Sequence, residues 1–402
     1  MGVNKQYAGY KPFQYLEPDL DYKVFKMAKE IGRVEPYAVP VSQAEEERVQ
    51  QLAGESIVIS LHDHPMLLPE DVMNQIFDYN REARVVTPYE GLSKSCWDAI
   101  FDNLLDGEGM IVSKSGWKWE DTIYDLGMTL SDLAHQDFVI VGRTVNDIIR
   151  AHNEGKIAFI PAIEAATPIE NELDRIDILF GLGIRMMGVT YSESNGLGSG
   201  LSEENDGGLT NFGREVIKRY NKVGMAIDVS HSGDKTAADV IEVSTEPVFI
   251  THVGAKTLWN IKRFKPDDAL RACAEKGGVI GIEAAPHTTI TKTHPKQNIE
   301  SVMEHFEYIA NLVGIDHIGF GPDTMYGDHV AMHHAYSKTF SLEKVFAADT
   351  EEVPYVEGLE NPTEASWNII RWLVKHGYSD EDIKKVVGEN ALMVLKEVWP
   401  KS

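Results

Sequence analysis

Short apolar runs rich in Val and Ile recur along the chain, each followed by a longer stretch in which apolar residues fall at helical spacing. The runs are Ser56–Leu61, Gly109–Ser113, Ile157–Ile163, Ile184–Val189, Gly224–Val229, Pro247–Thr251, Gly278–Ile282 and His317–Phe320. A continuous apolar run of this length fits a strand buried on both faces, as in a parallel sheet, and an amphipathic stretch fits a helix covering that sheet. Helices are predicted over Glu170–Leu182, Asn211–Val223, Asp234–Glu242, Asp267–Lys276 and Ile299–Val313, with two more near Thr363–His376 and Asp380–Trp399. No Gly-rich phosphate loop follows the first run, so the eight units predict a closed (β/α)8 TIM barrel, an α/β fold, rather than an open doubly wound sheet.

Two departures from the alternation shape the rest. Residues 1–55 are polar and aromatic, broken by Pro12, Pro18, Pro36 and Pro40, and are read as an N-terminal extension packed on a barrel formed by 56–402. The segments Met66–Gly107 and Thr324–Pro362 both leave the C-terminal ends of predicted strands, which makes them long loops over the mouth of the barrel.

Composition narrows the partners. The chain has 402 residues and 43% hydrophobic content, enough for a large core. Its 38 Lys and Arg against 63 Asp and Glu give a net charge of -25, which repels nucleic acid and anionic membranes and also serves plain solubility. Cys96 and Cys273 stand alone, suggesting neither a zinc knuckle nor a disulfide framework and fitting a reducing cytoplasm. The start of the chain lacks a signal-peptide pattern, Gln6 spoils a myristoylation motif, and no stretch is long and apolar enough to span a membrane, so a soluble protein is expected.

The chemistry lies at the strand ends. The first run ends in Leu61-His62-Asp63-His64, and alternate residues of an extended chain point the same way, so His62 and His64 can face one metal ion. Later runs end in Glu164, in His231, in His252 and in Gly321-Pro322-Asp323. Alone, His231 or His252 reads as a hydrogen-bonded structural histidine. Together, six ligands from five strands converge on one barrel face, and convergence points to a metal site. Imidazoles with a few carboxylates suit zinc, with manganese, iron or cobalt as alternatives. Six ligands exceed what one ion uses, so two divalent ions bridged by Glu164 are expected, with a water held between them as the nucleophile.

With these motifs in place, the sequence resembles the membrane (renal) dipeptidase family of metallopeptidases from about Ser56 to Trp399. The resemblance is carried by Gly208-Leu209-Thr210-Asn211-Phe212-Gly213-Arg214-Glu215-Val216, by Asp228-Val229-Ser230-His231, by Lys262-Arg263-Phe264-Lys265-Pro266-Asp267-Asp268, by Gly319-Phe320-Gly321-Pro322-Asp323 and by Gly388-Glu389-Asn390. It implies a binuclear zinc barrel with Glu164 bridging, His62 and His64 on one ion, and His231 and His252 on the other. Asp323 would move the proton from water to the leaving amine, and Arg263 would clamp a substrate carboxylate; otherwise Arg263 is a surface ion pair. A homodimer is also implied.

Three positions depart from the family pattern. His64 stands where an aspartate is usual, Tyr191 where a histidine holds the substrate carbonyl oxygen, and Glu283 where an asparagine is usual. Tyr191 can still donate a hydrogen bond to an oxyanion. Glu283 reads either as a carboxylate at the mouth that prefers a cationic group, or as a helix cap or surface residue. The expected function is metal-dependent hydrolysis of the amide bond of a dipeptide or dipeptide-like small substrate. Alternatives are a non-peptide amidohydrolase acting on another small amide, ester or lactam, and a metal-binding module without catalysis.

Overall fold

A computed structural model describes residues 5–82, 84–103, 118–337 and 351–400. Its strands are β1 (Ile59–Leu67), β2 (Ala99–Asn103), β3 (Val139–Val141), β4 (Ile157–Ile163), β5 (Met186–Gly188), β6 (Ala226–Asp228), β7 (Phe249–Val253), β8 (Val279–Ile282), β9 (Ile318–Phe320) and β10 (Met325–Tyr326). Eight of them pair in parallel in the order β1-β2-β4-β5-β6-β7-β8-β9, and β9 returns to β1 through Ser60 and Phe320, closing a (β/α)8 barrel. β3 pairs with the start of β4, and β10 adds to the far end of β1.

The barrel has two apolar layers. Ile59, Leu61, Ala99, Phe101, Ala158, Ile160, Ala162, Met186, Ala226, Phe249 and Val279 belong to one buried cluster, while Ile100, Phe159, Ile163, Met187, Ile227, Ile250 and Ile280 pack with the surrounding helices in another. Within each strand the two sets alternate, as a period of two requires. The helix Asn390–Val398 joins the first cluster, and Trp399 Nε1 donates to Arg185 O at 3.2 Å, just ahead of β5. That end is therefore plugged, and the C-terminal strand ends form the open face.

Seven of the eight predicted strand runs overlap an observed barrel strand, and the helices Asn211–Val223 and Ile299–Val313 match to the residue. The predicted run Gly109–Ser113 falls entirely within 104–117 and lies outside the described residues. The second barrel strand is Ala99–Asn103, inside the segment read as a mouth loop, which also holds the helices Val72–Glu82 and Tyr89–Ser93. Asp98 obscured it by interrupting the apolar run. That aspartate is fully buried because Lys5 Nζ (2.8 Å), His152 Nδ1 (2.9 Å) and the Val58 N–H (3.0 Å) satisfy it. The last predicted helix is broken over Lys385–Glu389, where Gly388 approaches Ile57 so closely that a Cβ would lie 1.9 Å from its carbonyl oxygen.

At the front of the chain, helix Gln43–Glu55 lies against helix Pro362–Lys375, with Arg371 bridging to Glu46 at 2.8 Å. Among the described residues, no helix is long and apolar enough to cross a membrane.

Candidate active site

Local irregularities aim the ligands. Between Ser60 and Asp63, β1 carries one more residue than β2 opposite it, and between Ile250 and Val253, β7 carries one more than β8. An extra residue switches the face on which the following side chains lie. Ile59 and Leu61 are inward on β1, yet after the shift His62 and His64 share the site; His252 follows the second shift in the same way. At β9 the chain comes close to its neighbours: a Cβ on Gly321 would sit 2.1 Å from Thr251 O and 3.0 Å from His62 Cβ, so only glycine fits.

Four imidazoles and two carboxylates meet there, all buried or nearly so. His62 Nε2 lies 3.2 Å from His64 Nε2, and His231 Nε2 lies 3.0 Å from His252 Nε2. Glu164 Oε1, one residue beyond β4, is 3.2 Å from His62, 3.5 Å from His231 and 3.6 Å from His252. Asp323 Oδ1 is 3.0 Å from His64 and 3.4 Å from His62. Two sets have donor atoms close enough to share an ion: His62, His64 and Asp323, and His62, Glu164 and His252.

Charge within the cluster is uneven. Burial alone would lower His62, yet Asp323 and Glu164 outweigh it and lift its imidazole to about 9. Burial followed by the field of Arg263 pushes His231 down to about 4, and burial with His62 holds His252 well below its usual value. Burial works to raise Glu164 and Asp323, but neighbouring histidines hold both carboxyls below their ordinary range. Neutral imidazoles and ionised carboxylates are the forms that bind metal, so His62 would give up its proton to a bound cation. Glu164 Oε2 is buried and makes no hydrogen bond, and a second acceptor aimed into such a cluster fits a bridging role. The donor set therefore fits one or two divalent cations.

A surrounding hydrogen-bond network orients these ligands. His252 Nδ1 meets Thr251 Oγ1 at 2.7 Å, Thr251 Oγ1 meets Ser230 Oγ at 3.1 Å, and Ser230 Oγ donates to Asp228 at 2.6 Å. Because the chain ends on a carboxylate, each hydroxyl donates toward Asp228 and His252 Nδ1 must donate too, leaving the Nε2 lone pair for the site. The Asn103 side-chain amide lies 2.6 Å from His62 Nδ1 and fixes that ring. Asp63, turned away from its two neighbouring histidines, accepts from Thr324 N–H (2.9 Å), Thr324 Oγ1 (2.8 Å) and Ser60 Oγ (2.6 Å). It thereby holds the turn on which Asp323 sits at φ 58°, a left-handed conformation that aspartate tolerates better than most residues. Lys265, fully buried, donates to Ser230 O at 2.9 Å and to Ser232 O, the carbonyls on either side of His231.

The remaining expected residues adjoin this cluster. Tyr191 stacks on His231, ring centroids 4.1 Å apart. Arg263, in the segment after β7, is only 3% exposed: Nη1 donates to His252 O at 3.1 Å, Nη2 is ion-paired with Glu283, and Asp323 Oδ2 lies 4.0 Å from Nη2. Glu283 is 0% exposed, which removes the reading of it as a helix cap or surface residue, just as burial removes the surface ion pair for Arg263. Burial pushes the Glu283 carboxyl up to about 7 against the opposing field of Arg263.

Sequence reasoning missed Asn103, Asp63, Thr251 and His329. Asn103 closes the overlooked strand, and Thr251 directly precedes a ligand. His329 begins the run His329-Val330-Ala331-Met332-His333-His334 and lies near enough to Asp323 and His64 to feel both; burial, opposed by Asp323, lowers it to about 3. The clustering of histidines at 329–334 was the available signal.

The comparisons with known proteins agree with this geometry. The model of the membrane dipeptidase family, peptidase family M19, matches residues 46–337. A dipeptidase, tcpJ, of Claviceps purpurea (strain 20.1) is 27% identical over 266 residues, 66% of this chain and 56% of the relative. Dipeptidase aclJ of Aspergillus oryzae is 27% identical over 277 residues, 66% of this chain and 60% of the relative. The matched region thus spans a little under two thirds of these curated relatives. A solved amidohydrolase from Pseudomonas aeruginosa superposes with a TM-score of 0.71 at 25% identity, covering 88% of this chain and 99% of the other. A match running from the helix before β1 to the helix after β10, over a barrel whose strand ends carry this ligand set, places the chain in the membrane dipeptidase family of peptidases, M19.

Proposed function

We propose that the protein is a metal-dependent hydrolase that cleaves the amide bond of a dipeptide or dipeptide-like small substrate. The observation that carries this reading is the convergence of His62, His64, Glu164, His231, His252 and Asp323 at the C-terminal ends of the barrel strands. The dipeptidases among its relatives support the substrate class.

Divalent ions, zinc by ligand type, would be held by the four histidines with Glu164 between them, and when bound supply Lewis acidity that polarises a carbonyl and acidifies a water. The residues do the rest. Asp323 takes a proton from the attacking water and returns it to the leaving nitrogen, a role that suits a carboxylate touching two ligand histidines. Tyr191, packed on His231, supplies a phenolic O–H to the oxygen that gains negative charge. Six donors exceed the needs of one ion, so two per chain are expected.

Elemental analysis of the purified protein, followed by hydrolysis assays on a dipeptide panel before and after chelation, tests this. About two ions per chain and chelator-sensitive release of amino acids are expected. Full activity in metal-free protein would overturn the reading.

A further inference from the structure

Arg263 reaches the site with its charge already engaged. It lies on the segment after β7, while Glu283 follows β8 directly, and both side chains are buried. One outer guanidinium nitrogen holds the carbonyl of His252 and the other holds Glu283, with Asp323 a further 4.0 Å neighbour. One positive charge therefore stands among two carboxylates. A substrate carboxylate arriving here would have to displace Glu283, leaving a fully enclosed anion unpaired beside a second one, an arrangement that disfavours the incoming group. A neutral carbonyl oxygen faces no such conflict. The guanidinium carries five N–H donors, and those not spent on His252 O and Glu283 can donate to an amide, ester or lactam oxygen while the ion pair stays intact.

We propose that Glu283 sets the substrate class: by neutralising Arg263 it selects substrates that present an uncharged, carbonyl-bearing end to this wall, a capped or cyclised acyl group rather than a free carboxylate. The proposal rests on the amide-hydrolase reading for what happens after binding, but the selection itself is a property of the wall.

The test uses the full chain loaded with zinc and dipeptides supplied in matched form, as the free acid and as the C-terminal amide. Binding is followed by calorimetry and turnover by release of the N-terminal amino acid. The amide should bind at least tenfold more tightly than the acid and show the higher kcat/KM. In Glu283→Gln, where Arg263 regains an uncompensated charge, the ratio should move at least tenfold toward the acid. Wild-type protein that binds the free acid as tightly as the amide, or more tightly, overturns the proposal, and this measurement decides even if Glu283→Gln fails to fold. Amide-selective binding without hydrolysis of any substrate would uphold the selection while refuting the proposed reaction.

Discussion

Two walls of one pocket treat charge in opposite ways. On the side built by β1, β4, β6 and β7, neighbouring imidazole and Glu164 ligand atoms lie 3.0–3.6 Å apart, with no lysine or arginine among them. On the side built by the segments after β7 and β8, Arg263 and Glu283 complete each other inside the fold. The first wall is an excess of donors that an external cation satisfies; the second is a closed account that an external ion would disturb. The difference teaches that a donor-rich cluster and a self-compensated ion pair can stand side by side at one barrel mouth, because they depend on different residues.

The largest effect should come from the chemical side. Asp323→Asn keeps the shape and removes the proposed base, so kcat should fall by roughly two to four orders of magnitude while KM changes little. Steady-state kinetics on the metal-loaded variant measures this. A kcat near wild type would dissolve the contrast, since the donor-rich wall would then not be the reactive one.

The next effect belongs to the closed wall and appears in stability. Glu283→Gln leaves a buried guanidinium short of its counter-ion and should lower the unfolding free energy by about 3–5 kcal/mol, whereas replacing both partners by apolar residues, Arg263→Met with Glu283→Leu, should restore most of it. Denaturant titration of wild type and the two variants measures this. If the double variant is no more stable than the single, the pair is not a self-contained unit.

The smallest effect concerns what stands behind that wall. His305 accepts from Ala255 N–H at 2.9 Å and its other ring nitrogen meets Ile290 O at 3.1 Å, tying together the segments that follow β7 and β8. Burial lowers its imidazole to about 4, so the folded state favours the neutral ring. Below the unfolded value near 6.5 the unfolded chain binds the extra proton, and this stabilisation is therefore lost as pH falls from 6.5 toward 4. Between pH 7 and 5.5 His305 should account for about 1 kcal/mol of lost stability, absent from His305→Gln. Identical pH profiles for the two proteins would remove His305 from the support of the wall.

Much of this was written in the periodicity. Buried strands such as Ile157–Ile163 are continuous apolar runs, and helices such as Asn211–Val223 carry their own ends, Thr210 capping the start and Gly224 turning left-handed at the finish. The candidate ligand residues were legible because each lies on or a few positions beyond a strand that hydropathy exposes. What escaped depends on partners distant in sequence. Ala99–Asn103 follows a buried aspartate whose compensation comes from Lys5 and His152, and the extra residues in β1 and β7 are defined only against the strands beside them. Arg263 and Glu283 were both singled out, but that one cancels the other is a matter of distance, not of pattern.

The bond from Thr324 to Asp63 spans 261 positions and fastens the last barrel strand to the first. During synthesis, His62 and His64 emerge long before the segment that fixes their strand, so the complete ligand set is a product of ring closure, among the most distant contacts the chain must find. A cation that binds the closed ring but not the open chain adds its binding free energy to that closure. Metal supply at the time of folding should then govern how many barrels are completed, quite apart from how fast the finished ones work.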